Sequence, residues 1–370
     1  MKSSNFIGKH KLELDTPCLV IDKTKLLANL DLMNHLAQAK NVQVRPHAKT
    51  HKCTKIAKMQ IEHGAVGICV AKVSEAYQMA VAGIKGILIT SPIVSQAKIT
   101  KLIEVLKLAP DTMLVVDNFV NAKELSDAVS LAKLTLCVLI DIDAGISRTG
   151  IPFSGAVDLA LKVNELPNLK LEGIQCYAGH LQHIAELHLR REASHEVLKK
   201  AAKIKEELLA KGLDCQIQTG SGTGTFSIDA EISSVSEIQP GSYCVMDQEY
   251  AVIEYKDEKF LPAMSLLTTV ISTNHRSHVT VDAGTKALYK VATKPKVMSH
   301  QNLLYDWDYF GDEHGKVSAL NGASLPSLGE VLEIQVAHCD PTINLFDCFY
   351  ITENDRVIDC WEIDLRGCCQ

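Results

Sequence analysis

Lys49 lies in a run crowded with cations and imidazoles, Val44-Arg45-Pro46-His47-Ala48-Lys49-Thr50-His51-Lys52. Neighbouring cations and partial burial disfavour an ammonium ion. A lysine in such a place is therefore expected to be a neutral nucleophile near neutral pH, suited to forming a Schiff base with an aldehyde. A solvated basic turn would produce the same string of residues. A second polar stretch, Gly220-Ser221-Gly222-Thr223-Gly224-Thr225, alternates glycine with hydroxyl residues. Successive backbone N–H groups there can converge on one anion, and the hydroxyls of Ser221, Thr223 and Thr225 can add donors, so a phosphate cradle is predicted. A flexible turn is the alternative. The stretch is not a Walker loop, since no Gly-Lys-Ser/Thr follows, and it lacks the spacing of a Rossmann fingerprint.

Three further groupings have chemical potential. Asp141, Asp143, Gly145 and Arg148 share one loop, where Arg148 could hydrogen-bond a cofactor's phenolic oxygen or ring without losing its charge; a structural Asp–Arg pair fits the same residues. Tyr177, His180 and His183 supply candidates for a base or for metal ligands, and Tyr243 in Pro240-Gly241-Ser242-Tyr243 is placed to reach a phosphate. His338-Cys339-Asp340 follows the apolar run Glu333 to Ala337. If the extended conformation continues, His338 and Asp340 share a face, and one imidazole with one carboxylate suits Zn²⁺ or Mn²⁺. Gly311-Asp312-Glu313-His314-Gly315 reads as a loop near a domain interface.

These residues need a scaffold, and the apolar pattern supplies one. Short continuous apolar runs such as Cys18 to Ile21, Gly67 to Ala71, Gly86 to Thr90, Met113 to Val116, Thr135 to Asp141, Leu171 to Tyr177 and Cys215 to Thr219 alternate with helical patterns. Strands without internal alternation belong to a parallel sheet covered on both faces. Seven or eight such units predict an α/β fold, a (β/α)8 TIM-type barrel, with the chemistry at the C-terminal ends of the strands. After about Phe260 strands follow one another without helices, which predicts a C-terminal antiparallel β domain. The expected division is a barrel over residues 16–258 and a β domain over 259–370 joined by 1–15, with Thr16-Pro17 near the β domain.

Composition narrows the class. In 370 residues, 46% are hydrophobic and 22% charged, as in ordinary globular proteins. A net charge of −6 argues against a nucleic-acid surface, and no apolar run is long enough to span a bilayer as a helix. The polar N-terminus, Met1 to Lys11, has no signal-peptide core, so a cytoplasmic protein is expected. The 12 cysteines have no repeated spacing and read as reduced thiols, with the Cys368-Cys369 tail expected to be mobile.

With these motifs together, the chain resembles the D-threonine aldolase and D-serine dehydratase family, pyridoxal-phosphate enzymes of the alanine-racemase-like fold. The resemblance runs nearly end to end, through Asp15-Thr16-Pro17, Arg45 to Lys52, and His338-Cys339-Asp340-Pro341-Thr342-Ile343-Asn344-Leu345. It implies pyridoxal 5'-phosphate carried on Lys49, with His47, Arg148 and Tyr177 among the cofactor contacts and Ser221, Gly222, Thr223 and Tyr243 on the phosphate side. It implies a divalent ion, Mn²⁺, Mg²⁺ or Zn²⁺, on His338 and Asp340, with His183 or His180 acting near the substrate β-hydroxyl. It implies a homodimer and a small D-3-hydroxy amino acid substrate. A His-x-Cys pair is the dehydratase expectation, so His338-x-Asp340 favours retro-aldol cleavage to glycine and an aldehyde. The alternatives are a D-serine or D-3-hydroxyaspartate dehydratase releasing a 2-keto acid and ammonia, and a non-catalytic pyridoxal-phosphate carrier. The carrier is disfavoured by the β segment and by the His-x-Asp pair.

Overall fold

A computed structural model of the chain describes residues 6–256, 259–307 and 310–370. The expected boundary between 258 and 259, like the first five residues of the N-terminal segment, involves positions outside this set. Nine strands come first in chain order: β1 (Cys18–Asp22), β2 (Gln43–Val44), β3 (Ile68–Val70), β4 (Ile87–Ile89), β5 (Met113–Val116), β6 (Leu136–Ile142), β7 (Leu169–Cys176), β8 (Ile217–Gly220) and β9 (Glu237–Ile238). Strands β3 to β8 form one parallel sheet in sequential order, and β2 pairs with β9 in parallel. Backbone hydrogen bonds complete the circle. Ala48 N–H donates to Cys69 O and Cys69 N–H to Pro46 O, each at 2.8 Å, while Gln239 N–H donates to Gly220 O at 2.8 Å. The result is the parallel barrel that the sequence predicts.

Alternation decides what each barrel strand does. Cys69, Leu88, Met113, Val115 and Leu139 cluster without any helix residue, which identifies the barrel interior. Their neighbours Ile68, Ile87, Leu114, Val138 and Ile140 pack outward with helix residues such as Ala76, Met79 and Leu102. At the C-terminal ends the inward positions become polar: His47, Thr90, Asp141, Gln175, Thr219 and Gln239. That switch from apolar to polar makes the floor of a cavity.

The remaining strands are β10 (Met264–Ser272), β11 (His278–Val281), β12 (Lys296–Val297), β13 (Leu303–Asp306), β14 (Gly315–Ala319), β15 (Val331–Gln335), β16 (Cys348–Glu353) and β17 (Arg356–Glu362). They belong to a nine-stranded sheet in the order β11-β14-β13-β12-β15-β10-β1-β16-β17, and the extra β10–β11 pairing closes six of them into a small antiparallel barrel. Four of these strands, β12, β13, β14 and β17, carry no clear apolar run, which hides them in the sequence. Strand β1 sits here, antiparallel to β10 and parallel to β16, rather than opening the parallel barrel. Thr16 lies beside it, with Oγ1 donating to Asp282 Oδ2 at 2.6 Å. The tail expected to be mobile is tied down, since Ser74 N–H donates to Gln370 O at 3.1 Å and Leu365 N–H to Lys52 O at 2.9 Å. Among the described residues no helix is long and apolar enough to cross a membrane.

Candidate active site

A cavity of about 690 Å³ opens at the C-terminal ends of the barrel strands and is roofed by the start of the helix Cys339–Ile343. It is lined by His47, Lys49, Asp141, Arg148, Tyr177, Ser221, Gly222, Thr223, His338 and Asp340, so most of the residues singled out in the sequence meet there. The floor is a hydrogen-bonded network. Gln175 Nε2 donates to Asp141 Oδ1 at 2.9 Å, and Gln239 Nε2 donates to Thr219 Oγ1 at 3.0 Å and Gln175 Oε1 at 3.2 Å. Burial pushes the Asp141 carboxyl up to about 6, against the hydrogen bonds from Gln175 and Thr149 and with help from Asp117. Asp141 is thus held by Gln175 and Thr149 rather than by Arg148, whose guanidinium carbon lies 6.0 Å from the Tyr177 ring centroid.

The basic run does not behave as one cluster. Lys49 Nζ donates to Asp340 Oδ2 at 2.5 Å. Burial pulls its pKa down, but the Asp340 charge and hydrogen bond outweigh that and raise it above the usual lysine value. The expected neutral amine is therefore corrected: in this arrangement the ammonium is favoured. The neighbours that were to depress it are occupied elsewhere. Arg45 makes two hydrogen bonds to Glu237, at 2.9 and 2.8 Å, inside the barrel wall. Lys52 pairs with Glu75 at 2.6 Å. His51 accepts from Cys53 N–H and donates to Gln60 Oε1, and its burial lowers the pKa to about 4. His47 stays in the cavity wall. Its Nδ1 accepts the Lys49 N–H, which leaves the Nε2 proton for Thr90 Oγ1 at 3.0 Å. Burial, and then the Lys49 charge, hold that ring well below the ordinary histidine value.

The glycine loop is braced from behind. A Cβ at Gly222 would lie 2.5 Å from Gln182 Oε1, at Gly224 2.0 Å from the Gln182 carbonyl oxygen, and at Gly241 2.3 Å from Thr50 Oγ1. Only a bare backbone fits that close to its support. The hydroxyls were expected to face an anion, and two of them, Ser221 and Thr225, are turned the other way, towards Asp229. Thr225 Oγ1 donates to buried Asp229 at 2.6 Å, where Ser194 also donates at 2.5 Å. Thr223 Oγ1 instead accepts Tyr243 N–H at 3.1 Å and keeps its own proton to give. The N–H groups of Thr223, Gly241 and Ser242 border the cavity and have no acceptor within the chain among the described residues. Buried backbone donors need partners, so these fit the phosphate of a pyridoxal phosphate reaching towards Lys49.

At the opposite wall the strand expected to continue through His338 stops. His338 caps the short helix Cys339–Ile343, and Asp340 sits in its first turn, so the two face the cavity through a change of direction rather than through period-two alternation. His338 Nδ1 donates to Asp247 Oδ2 at 3.0 Å and lies 3.3 Å from Glu249 Oε2, which leaves Nε2 without a partner among the described residues. The Asp340 carboxyl, although buried, is held below the usual carboxylate range by Lys49 and His338. A free imidazole nitrogen beside an ionised carboxylate suits a borderline or hard divalent ion.

Three of the expected residues do not line the cavity. Tyr243 is buried behind the loop with its hydroxyl accepting from Gln60 Nε2 at 3.3 Å and its ring against Phe260, so it does not reach the cavity. His180 is exposed near Gly145 and is not among the cavity-lining residues. His183 is likewise exposed and outside the lining, but its ring lies 4.6 Å from that of Tyr250, which lines the cavity, and this contact places it at the rim. The Gly311 to Gly315 loop forms its own contacts, including Lys286–Glu313 at 2.6 Å. Asp247, Glu249 and Tyr250 join the site without belonging to any of the motifs that stand out in the sequence. The acidic and aromatic cluster directly after Pro240-Gly241-Ser242-Tyr243 was the available signal.

Comparisons with known proteins show the family and the fold. The family profile "Alanine racemase, N-terminal domain" matches residues 21–249, and "Putative serine dehydratase domain" matches 263–352. The chain is 36% identical over 362 residues to a D-threonine aldolase of an Arthrobacter species, covering 97% of this chain and 95% of the relative. It is 32% identical over 368 residues to a 3-hydroxy-D-aspartate aldolase of Paracoccus denitrificans, covering 97% and 94%. The crystal structure of D-threonine aldolase from Filomicrobium marinum superposes with a TM-score of 0.95 at 34% identity, covering 100% of both chains.

Proposed function

We propose, for a chain that belongs to the D-threonine aldolase and D-serine dehydratase family of the alanine-racemase-like fold, that it is a lyase splitting the Cα–Cβ bond of D-3-hydroxy amino acids into glycine and an aldehyde. One observation carries the reading: Lys49 from the barrel meets His338 and Asp340 from the far end of the chain in a single cavity. An amine that can hold an aldehyde cofactor and a ligand pair that can hold a hydroxyl-binding ion are both needed for β-hydroxy amino acid chemistry. When bound, pyridoxal phosphate supplies the electron sink for the carbanion left by cleavage, and Mn²⁺, Mg²⁺ or Zn²⁺ polarises the β-hydroxyl.

The residues divide the work. Lys49 would hold the cofactor covalently, with His47, Tyr177 and Arg148 around its ring. Thr223, Gly241 and Ser242 would offer backbone donors to its phosphate, with Ser221 and Gly222 beside them. His338 and Asp340 would hold the cation. His183 is the base we assign to the hydroxyl proton; burial outweighs the pull of Glu249 and Asp247 and lowers its pKa, so it stands ready as a neutral imidazole. His180 is left without a role.

Dehydration is the second reading, kept because the serine dehydratase profile covers residues 263–352. It requires Lys49 as a free base for the Cα proton. Cleavage instead requires a base at the β-hydroxyl, the place His183 would take, and the carboxylate of the His338-x-Asp340 pair suits a harder ion than the His-x-Cys pair expected of a dehydratase. Product analysis with D-threonine, D-serine and D-3-hydroxyaspartate, with Mn²⁺ and after chelation, separates the two. Metal-dependent glycine and aldehyde are expected; ammonia and a 2-keto acid without glycine would overturn the aldolase reading. A homodimer in the cytoplasm belongs to the same proposal, and light scattering on the purified protein tests its oligomeric part.

A further inference from the structure

Asp247 touches two parts of the site that nothing in the sequence connects. Its side chain is fully buried. Oδ2 accepts from His338 Nδ1 at 3.0 Å and from the Cys339 N–H at 2.9 Å. Oδ1 accepts from Tyr250 N–H at 3.1 Å and so caps the turn Gln248–Ala251. The same turn is stitched to the far segment by its backbone, with Gln248 N–H donating to Val336 O at 3.0 Å and Glu249 N–H to Ala337 O at 3.1 Å. Tyr250 in turn carries the ring of His183, 4.6 Å away.

We propose that Asp247 is a positioning residue that presents His338 Nε2 to the cation and, through Tyr250, fixes the place of His183, so that one buried carboxylate orients both ligand and base. The inference rests on the functional reading above. A histidine that gives its Nδ1 proton to a carboxylate is locked in one tautomer and is a stronger donor through Nε2. Asp247, His338 and Cys339 also lie within 4.8 Å of one another and could be taken for a ligand set. The hydrogen bonds argue otherwise. Both Asp247 oxygens already accept, and Cys339 is buried with its Sγ towards Asp340 Oδ1 at 3.5 Å.

The test measures Mn²⁺ binding calorimetrically in the full-length holoprotein, alongside the visible absorbance of the bound cofactor. Asp247→Asn keeps the shape and removes the charge. It is expected to weaken Mn²⁺ binding about 10- to 100-fold while leaving the cofactor absorbance unchanged. Glu249→Gln, at the more exposed contact, is expected to change binding less than about threefold because solvent screens it. Should Asn at 247 prevent folding, Asp247→Glu retains the charge and displaces the oxygens, and is expected to weaken Mn²⁺ binding by the same order. Binding within about twofold of wild type in the folded variant overturns the proposal, and so does a complete loss equal to that of His338→Ala, which would make Asp247 a ligand. A wild-type protein whose Mn²⁺ binding is indifferent to His338→Ala would instead sink the functional reading, and this inference with it.

Discussion

The run from Arg45 to Lys52 and the turn from His338 to Asp340 are both dense in titratable groups, and the fold treats them in opposite ways. Along the run the side chains separate. Arg45 goes into the wall with Glu237, His51 under the helix Thr54–Glu62 with Gln60, Lys52 outward to Glu75, and only His47 and Lys49 reach the cavity. At the turn, His338 and Asp340 converge on one wall, drawn there by Asp247 and Lys49 from other elements. Local density of charge therefore does not set a group's proton affinity. The partner that the fold brings does, since a carboxylate at hydrogen-bond distance outweighs cations whose fields are neutralised by partners of their own.

Variants can break or sharpen this contrast. Lys49→Ala should have the largest effect, removing the visible absorbance of bound pyridoxal phosphate and lowering turnover of D-threonine by at least about 10³-fold in a steady-state assay. Arg45→Ala, four residues away in the same run, should lower the free energy of unfolding by about 3–5 kcal/mol in urea titration, because it leaves Glu237 buried and unpaired. The cofactor absorbance of whatever remains folded should be unaltered; its loss would mean that the run does act as a unit.

The buried imidazoles give a pH signature. His51 titrates at about 4 in the folded protein and near 6.5 when unfolded, so between those values the unfolded chain binds more protons. The His51 contribution to stability should be fully present above about pH 6.5 and be lost as the pH drops towards 4, by up to about 3 kcal/mol, with His47 acting in the same direction and Asp141, pushed up to about 6, opposing it. Denaturation curves across that window should be flatter for His51→Asn. An unchanged slope would place the proton elsewhere. The smallest effect is expected of Tyr243→Phe, with cofactor affinity by fluorescence titration within about twofold of wild type, because the hydroxyl faces Gln60. A tenfold loss would return Tyr243 to the phosphate side.

Much of the barrel was legible because strands buried on both faces read as unbroken apolar runs, as in Ile87–Ile89 and Met113–Val116. Strands of two residues, such as Glu237–Ile238, carry too little pattern to be seen, although this one helps close the barrel. Strand Cys18–Asp22 was visible as a strand, but its sheet was not. Apolar content specifies burial and leaves the choice of partner open, and Leu266 and Tyr350 supply the pairing from more than 240 residues away.

The sequence by itself determined the reactive types, namely Lys49, the glycine loop and the His338-x-Asp340 pair, and their placement after apolar runs that had to be strands. Those features are local, fixed by composition and spacing within a few residues. Tertiary structure decided the rest: that Lys49 is paired with Asp340, that Tyr243 and His180 miss the cavity, that Thr225 turns back to Asp229, and that Asp247 holds His338. Each of these depends on a contact across the chain, and a side chain's direction and charge are set by what it meets there.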